Sequence, residues 1–169
     1  MIRLVKPTAR YQKSFIAAMK EFKRKEREIG IDIRKLQKNF PEFVARIRSN
    51  EKRDNLTKGQ VLSSYYWLID KSEFIGDITI RHKLTEMLSK EGGHIDYGIK
   101  PTKRRKGYGI KILALALRKA KTLGIKKVLI TCDDNNIGSW KIIEANGGIL
   151  HDKISYKGGI KRRYWVDTP

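Results

Sequence analysis

The sequence predicts one domain of mixed α/β or α+β fold, in which a sheet contains at least one parallel connection. The chain has 169 residues, 40% of them apolar, which suits a single domain over residues 1–169 with a core of its own. Helical and strand periodicities follow one another in the order strand, two helices, three strands, helix, strand, helix and two strands. The helix between the fourth and fifth strands supplies the crossover that two parallel strands need.

The amino-terminal third is expected to hold one strand and two helices. Residues 2–5 form a short apolar strand, and residues 9–27 form a helix whose apolar side chains recur at helical spacing. A second, weaker helix covers residues 41–49. Residues 29–40 and 50–59 are expected to be loops that shape a pocket.

Three strands follow in the middle of the chain. Residues 64–69 and 74–80 are rich in aromatic and β-branched residues and are expected to form a hairpin, after which residues 85–93 form a loop. Residues 94–99 alternate strictly, so this strand has two different faces. One face carries Ile95, Tyr97 and Ile99, and the other carries His94, Asp96 and Gly98.

The carboxy-terminal part alternates helices with strands. Residues 107–123 give the clearest helix, residues 127–131 a strand that is apolar on both faces, and residues 136–145 a further helix. Two final strands cover residues 149–155 and 160–166. The buried stripe of the clearest helix is expected to consist of Ile110, Leu113, Ala114, Leu117 and Ala120.

Charge and hydropathy limit the function classes. The 38 Lys and Arg residues against 18 Asp and Glu give a formal charge of +20, which would attract nucleic acid, anionic membranes or acidic proteins. Much of this charge is interleaved with acidic residues, as on a solvated helix face. No stretch reaches the roughly 18–20 apolar residues that span a bilayer, and the first residues lack the apolar core of a secretory signal. We therefore expect a cytoplasmic protein with no membrane partner.

Cysteine and histidine are scarce. Cys132 stands alone beside three histidines, which excludes an internal disulfide and a multi-cysteine zinc site, so we expect no metal. A buried small residue is the favoured interpretation of Cys132, ahead of a catalytic nucleophile.

A dense basic cluster at residues 100–106 runs directly into two glycines. Residues 104–110, with the sequence RRKGYGI, lie between a strand end and a helix start, where unpaired N–H groups and the helix dipole favour an anion. Because glycines let a phosphate approach the backbone, this segment predicts a phosphorylated ligand. A Rossmann fingerprint would need glycine at Ile112, and a Walker A loop needs G-K-[ST], so neither nucleotide-binding pattern is present. A plain glycine-rich helix entry would leave four adjacent cations unexplained.

The pattern that does fit is R-x-x-G-x-G, formed by Arg104, Gly107 and Gly109. It resembles the pyrophosphate-binding motif of the GNAT superfamily of acetyl-CoA-dependent N-acetyltransferases. The strand before it resembles the fourth strand of that family, and residues 136–148 resemble its N-x-x-[AS] helix with a closing glycine. The resemblance extends over residues 2–166 and is strongest to a poorly characterised bacterial branch with similar Ile-Arg-His, Gly-Gly-His and Thr-Cys-Asp segments.

The resemblance implies a mixed, mostly antiparallel sheet of about seven strands, with flanking helices and a splayed parallel pair that holds acetyl-CoA. The pantetheine would pair with the backbone of the fourth strand, and the pyrophosphate would sit on the amides of the glycine loop. The coenzyme site would thus consist of Tyr97, Gly98, Ile99, Arg104, Arg105, Lys106, Gly107, Tyr108, Gly109, Ile110, Asn136 and Ser139.

Acetyl transfer to an amine needs a base, because a free lysine has a pKa of about 10.4. His94 is the first candidate, since it stands where some relatives place a catalytic glutamate and an imidazole has a pKa of about 6.5. The alternative is a hydrogen-bonded strand histidine without a catalytic role. Asp96 lies on the same face and could orient or replace His94. Asp77 and His82 are weaker candidates that could instead shape the acceptor pocket.

The acid that protonates the departing thiolate is not evident. Many relatives carry a tyrosine four residues after the alanine or serine of N-x-x-[AS], and here that position is Ile143. Ser139 is conceivable but poorly acidic, which leaves water or the substrate ammonium as the other sources.

The leading interpretation is an N-acetyltransferase that acts on a primary amine of a small molecule or protein by direct attack in a ternary complex. One rival is a basic binding protein associated with nucleic acid or the ribosome, as the charge of +20 allows. A second is a catalytically degenerate CoA-binding protein, suggested by Ile143. Pairing of terminal strands would give a homodimer.

Overall fold

A computed structural model describes residues 1–26, 30–52, 56–57 and 59–169, and shows the mixed architecture that the periodicities predict. Parts of the predicted loops at residues 29–40 and 50–59, and the last residue of the helix predicted at 9–27, lie outside the described residues. The strands are β1 (Ile2–Val5), β2 (Ser63–Asp70), β3 (Glu73–Arg81), β4 (Ile95–Ile99), β5 (Lys127–Asp133), β6 (Ile149–Tyr156) and β7 (Gly159–Asp167).

Helices flank these strands, and two of them lie in segments that the sequence predicted as loops. Asp32 starts one by accepting hydrogen bonds from two amides of the first turn, and Thr85 starts the other by accepting from the Leu88 amide. Both helices are short, so their apolar periodicity is too brief to read from sequence. The helices are α1 (Gln12–Glu26), α2 (Ile33–Lys38), α3 (Phe40–Ser49), α4 (Glu86–Lys90), α5 (Tyr108–Thr122) and α6 (Ile137–Ala145).

The strands form two antiparallel sheets placed side by side. The first has the order β1-β2-β3-β4 and the second the order β5-β7-β6. The β2–β3 hairpin turns at Lys71, which has a φ of 55°. Helix α5 connects β4 to β5, and these two strands lie next to each other where the sheets meet.

The first sheet is covered on both faces. Trp67 and Ile69 of β2 pack against α1, α2 and α3, whereas the alternate residues Tyr66 and Leu68 belong to the core beneath α5. Because successive side chains of a strand point to opposite faces, the helices before β2 and the helix after β4 lie on opposite sides of this sheet.

The burial of α5 corrects one detail of the predicted stripe. Leu113, Leu117 and Ala120 are buried as expected, but Ala114 is only partly buried and Ile110 is 46% exposed. Ile110 lies in the first turn of α5. The stripe is completed by Ile112 and Ala116.

Among the described residues, no helix has both the length and the apolar character needed to cross a bilayer. The same residues contain no group of three or more His, Cys, Asp and Glu side chains placed to hold a metal ion.

Candidate functional site

The two sheets meet at one point and separate beyond it. His94 donates its amide to the Leu129 carbonyl of β5 at 2.7 Å, and the Leu129 amide donates to Nδ1 of the His94 imidazole at 2.9 Å. The Gly92 amide donates to Oγ1 of Thr131 at 2.8 Å. Beyond these contacts, within the described ranges, β4 pairs only with β3 and β5 only with β7. The adjacent strands therefore enclose a V-shaped opening, which we call the strand split.

The free edge of β4 forms one wall of the strand split. The Lys100 amide donates to the Ile75 carbonyl of β3 at 2.9 Å. Because the backbone groups of successive residues in a strand point to opposite edges, the other even-numbered residues of β4 also direct their amides and carbonyls toward β3. The backbone of Tyr97 and Ile99 therefore points into the split. The Ile99 carbonyl accepts a hydrogen bond from Nε of Arg104 at 2.9 Å. As far as the described residues go, the backbone groups on this edge that remain unpaired are the amide and carbonyl of Tyr97 and the amide of Ile99.

The loop after β4 presents backbone amides to the same opening. A short 3₁₀ turn at Pro101–Lys103 leads to Arg105 and Gly107, which have φ values of 55° and 78°. The first backbone hydrogen bond of α5 runs from the Lys111 amide to the Gly107 carbonyl, at 3.1 Å. In the described part of the chain, none of the amides in residues 105–110 donates to a backbone carbonyl. Such a row of unpaired N–H groups at a helix start binds anions.

Ligand-binding cavities usually measure about 300–1,000 Å³, and the cavity at the strand split measures about 600 Å³. All of the predicted coenzyme residues line it except two. Lys106 is exposed, and Tyr108 donates its hydroxyl hydrogen to Asp70 at 2.8 Å, away from the cavity. Sequence reasoning missed three lining residues, which come from α1 and α6: Glu26, Gly138 and Ile142.

Gly109 has a second role that the motif did not reveal. A Cβ at this position would lie 2.4 Å from Cδ1 of Ile142, so the glycine also allows α5 to pack closely against α6. At Gly107 a Cβ would meet nothing within 4 Å, and there the left-handed backbone is the reason for glycine.

In the part of the chain that the structure describes, ion pairs involve three of the five cations in the basic cluster. Lys100 and Lys103 both pair with Glu73, and Arg104 pairs with Glu26. Among the described residues, Arg105 has no acidic partner, and it lines the cavity. Lys106 is also without an acidic partner among the described residues, but it does not line the cavity, so Arg105 is the cation placed to meet a phosphate there.

The start of α6 forms the opposite wall of the split. Oδ1 of Asn136 accepts the Ser139 amide at 3.1 Å, which caps the helix. The hydroxyls of Ser139 and Tyr97 lie 3.2 Å apart, and burial raises the pKa of Tyr97 to about 12. Ile143, at the position of the usual tyrosine, is fully buried in the core.

The structure places the predicted base at the apex of the split. His94 is 9% exposed, and burial lowers its pKa, with a further effect from Arg81. Its Nδ1 lone pair is used by the Leu129 amide, so Nε2 carries the proton of the neutral ring. A catalytic role for His94 would therefore require this hydrogen bond to break. Asp96 is exposed and lies 3.8 Å from Arg81.

A second cavity, of about 400 Å³, opens beside the first on the α1 side of β4. The two share Tyr97, Gly98 and Glu26. Asp77 of β3 lies in the second cavity, and burial together with the nearby Asp96 carboxylate raises the pKa of Asp77 to about 7. The signal available in the sequence was a carboxylate at the centre of the predicted strand 74–80, with apolar residues at both ends of that strand.

The remaining candidates lie elsewhere. Nε2 of His82 is 2.9 Å from Oγ of Ser64, and burial lowers the pKa of His82. Cys132 is buried, and burial raises the pKa of its thiol to about 11, so it is not a thiolate at neutral pH.

Comparison with known families and structures agrees with this geometry. The model of the acetyltransferase (GNAT) domain family matches residues 12–149. A search of the curated proteins finds no match.

Solved structures share the fold at low sequence identity. RimJ of Mycobacterium smegmatis, in complex with CoA-disulfide, is 15% identical with a TM-score of 0.71, over 98% of this chain and 81% of that one. The microcin C7 self-immunity acetyltransferase MccE, in complex with acetyl-CoA and AMP, is 13% identical with a TM-score of 0.70, over 98% and 92% of the two chains. RimL, a ribosomal L7/L12 α-N-protein acetyltransferase in complex with coenzyme A, is 13% identical with a TM-score of 0.68, over 99% and 96%.

Proposed function

The chain belongs to the GNAT acetyltransferase family, and we propose that it transfers the acetyl group of acetyl-CoA to a primary amine by direct attack while both substrates are bound. The observation that supports this proposal is the strand split, whose β4 edge and glycine loop offer unpaired backbone groups. Acetyl-CoA supplies a thioester carbonyl that the amine can attack.

The glycine loop would hold the diphosphate. Unpaired amides in residues 105–110 and the start of α5 favour a doubly charged anion, and the unpaired Arg105 adds a guanidinium. Arg104 would act differently, because it already bonds the Ile99 carbonyl and Glu26. We assign Arg104 to fixing the loop against α1 and β4 rather than to phosphate.

The edge of β4 would hold the pantetheine and the thioester. The amides of Tyr97 and Ile99 point into the split and can donate to carbonyl oxygens of the ligand. A donor aimed at the thioester carbonyl also stabilises the negative charge that develops on its oxygen during attack. Asn136, whose Oδ1 caps α6, keeps its amide hydrogens for the ligand arm.

The leaving thiolate needs a proton, and the position of the usual tyrosine holds the buried Ile143. The paired hydroxyls of Tyr97 and Ser139 lie on either side of the split and line its cavity. We assign them to relaying to sulfur the proton that the attacking nitrogen loses, since each hydroxyl can accept one proton as it passes another on.

A coenzyme-stability assay and a thiol-release assay test the proposal together. Acetyl-CoA is expected to raise the melting temperature at moderate salt, and polyamines, aminoglycosides, amino acids and basic peptides are then screened for release of free thiol. Stabilisation without thiol release from any amine would indicate a degenerate CoA-binding protein. Loss of all stabilisation as salt rises would instead indicate non-specific polyanion binding.

A further inference from the structure

The cavity beside the strand split has walls of aromatic and apolar side chains. Phe15 of α1 stacks on Trp67 of β2 at 4.6 Å between ring centroids, and Phe43 of α3 packs at 5.5 Å from Phe15. These contacts tie the three elements together, so the walls are set by the core itself. We call this space the aromatic cavity; its apolar lining also includes Met19, Phe22 and Tyr65.

Of the residues that the structure describes, the titratable side chains that line the aromatic cavity include acidic residues and no basic ones, although the protein as a whole is strongly basic. The chain carries a formal charge of +20, yet among the described residues this cavity is lined by three carboxylates and by no lysine or arginine. Two of the carboxylates have partners, because Glu26 pairs with Arg104 and Asp96 faces Arg81. A carboxylate at an otherwise apolar wall selects a cation over a neutral or anionic ligand.

Asp77 is the carboxylate that remains. Within the described part of the chain, its side chain has no hydrogen bond or ion pair with another residue. The titratable groups that share its cavity are Asp96 and Tyr97 from β4, Tyr65 from β2 and Glu26 from α1. None of them is cationic, so the nearest charges make ionisation of Asp77 harder rather than easier.

Asp77 also lies next to the place assigned to the thioester. It pairs across the sheet with Gly98, and its Oδ1 is 3.3 Å from where a Cβ of Gly98 would stand. Gly98 lines both the aromatic cavity and the strand-split cavity. The absence of a side chain at Gly98 therefore joins the two spaces beside the Asp77 carboxyl.

We propose that the aromatic cavity binds the acetyl acceptor as a single primary ammonium on an aromatic or branched apolar body, with Asp77 holding the ammonium and accepting its proton. This inference rests on the proposed function and adds the acceptor class. An extended polyamine would need unpaired carboxylates along its length, and only Asp77 is unpaired among the described cavity residues. The cavity volume of about 400 Å³ suits a small arylalkylamine.

The proton balance of the step is complete. The Asp77 carboxylate takes one proton from the ammonium and releases it to solvent, which leaves a neutral amine. The nitrogen lone pair then forms the bond to the thioester carbon, and the carbon–sulfur bond breaks. The second proton lost by nitrogen replaces the acetyl group on sulfur, so the products are an amide and a free thiol.

The test compares amines that differ in the size of their apolar group and in the number of their positive charges. The full chain is given acetyl-CoA with 2-phenylethylamine, ethylamine or spermidine, and thiol release is measured. We expect kcat/KM for 2-phenylethylamine to be at least about tenfold higher than kcat/KM for ethylamine or spermidine, because contacts in an apolar pocket discriminate between substrates on this scale. In a second readout, 2-phenylethylamine should raise the melting temperature of the CoA-bound protein, and 2-phenylethanol should not.

The variant Asp77→Asn tests the carboxylate, with Asp167→Asn, at the exposed end of β7, as the matched control. We expect Asp77→Asn to lower kcat/KM for 2-phenylethylamine at least about a hundredfold, as for loss of a base, while CoA affinity is unchanged. Wild-type turnover in Asp77→Asn, or faster turnover of spermidine or ethylamine, would overturn this inference and leave the proposed function standing. Failure of acetyl-CoA to bind at all would overturn both.

Discussion

The backbone amide of Leu129 in β5 donates a hydrogen bond to Nδ1 of His94 at 2.9 Å, while the His94 amide donates to the Leu129 carbonyl at 2.7 Å. At the apex of the strand split, the imidazole of His94 thus accepts the hydrogen bond that a backbone carbonyl would accept if the two strands stayed paired. This contact fixes where the sheets part, and therefore where the unpaired edge of β4 begins.

Substitution of His94 separates this bridging role from catalysis. We expect His94→Ala to lower the free energy of unfolding by about 1–3 kcal/mol, because the Leu129 amide loses its acceptor in a buried setting. His94→Asn can offer a side-chain oxygen near the position of Nδ1 and should recover part of this loss. Urea unfolding and thiol release are measured for both variants. If His94 is instead the base, Asn will restore no activity.

The same contact gives a pH dependence. Burial lowers the pKa of His94, so the folded protein favours the neutral ring, whose Nδ1 can accept the Leu129 amide. The resulting stability is present above the ordinary pKa of 6.5 and is lost as pH falls through the lower folded value. Melting temperatures from pH 7 to pH 5 should therefore fall more steeply for the wild type than for His94→Asn. Parallel curves would contradict this prediction.

The contribution of Asp77 to stability should depend on pH in the opposite direction. Its pKa is about 7 in the folded protein against an ordinary value of 3.8, so folding favours the protonated carboxyl. The stability from this group is full below about pH 4 and is lost as pH rises to about 7. Asp77→Asn, which stays neutral, should therefore gain in melting temperature relative to the wild type over this window. Asp167→Asn is the control, and an equal gain in both variants would show that net charge is the cause.

Arg105 should contribute more to coenzyme affinity than its neighbour Lys106. Both are exposed cations without an acidic partner among the described residues, but only Arg105 lines the strand-split cavity. We expect Arg105→Gln to weaken CoA binding about tenfold at low salt and less at high salt, and Lys106→Gln to have little effect. Calorimetric titration with CoA measures both. Equal losses would mean that the loop attracts the coenzyme only through its overall charge.

Two glycines on facing strands should respond differently to alanine. A Cβ at Gly76 would lie 2.1 Å from the Gly98 carbonyl oxygen, and the backbone there cannot yield without breaking the pairing of β3 with β4. A Cβ at Gly98 would meet only Oδ1 of Asp77, at 3.3 Å. We expect Gly76→Ala to cost at least about 2 kcal/mol of unfolding free energy and Gly98→Ala clearly less. Urea titration of the two variants decides this, and equal stabilities would contradict the close approach.

The sequence predicted the elements that carry strong local signals. The glycine loop could be placed because Gly107 and Gly109 follow a basic run at the start of a clear helix, and α5 itself has a long apolar stripe. The strand split was implied by the resemblance to a known family, and the structure confirms it. The α2 and α4 helices were missed, since five or six residues carry too little periodicity.

The roles of individual polar groups depended on contacts distant in sequence. Strand alternation placed His94 on the same face as Asp96 but gave no sign of a partner. In the structure, the amide of Leu129, 35 residues away, donates a hydrogen bond to Nδ1 of His94. Likewise, Asp77 became notable only because α1 and α3 build an apolar cavity around it. The pairing of Lys100, Lys103 and Arg104 with glutamates could not be predicted either, although it removes these three cations as partners for the phosphate.

The most direct test of the whole account is backbone amide NMR of the protein titrated with CoA. The predicted result is that the largest shifts fall in two groups, the edge residues 97–99 of β4 and the loop residues 105–110, because both groups present unpaired amides to the strand split. Shifts confined to the basic last turn of α1 (Lys23, Arg24 and Lys25), or the absence of shifts in both groups, would contradict the assignment of the strand split as the coenzyme site.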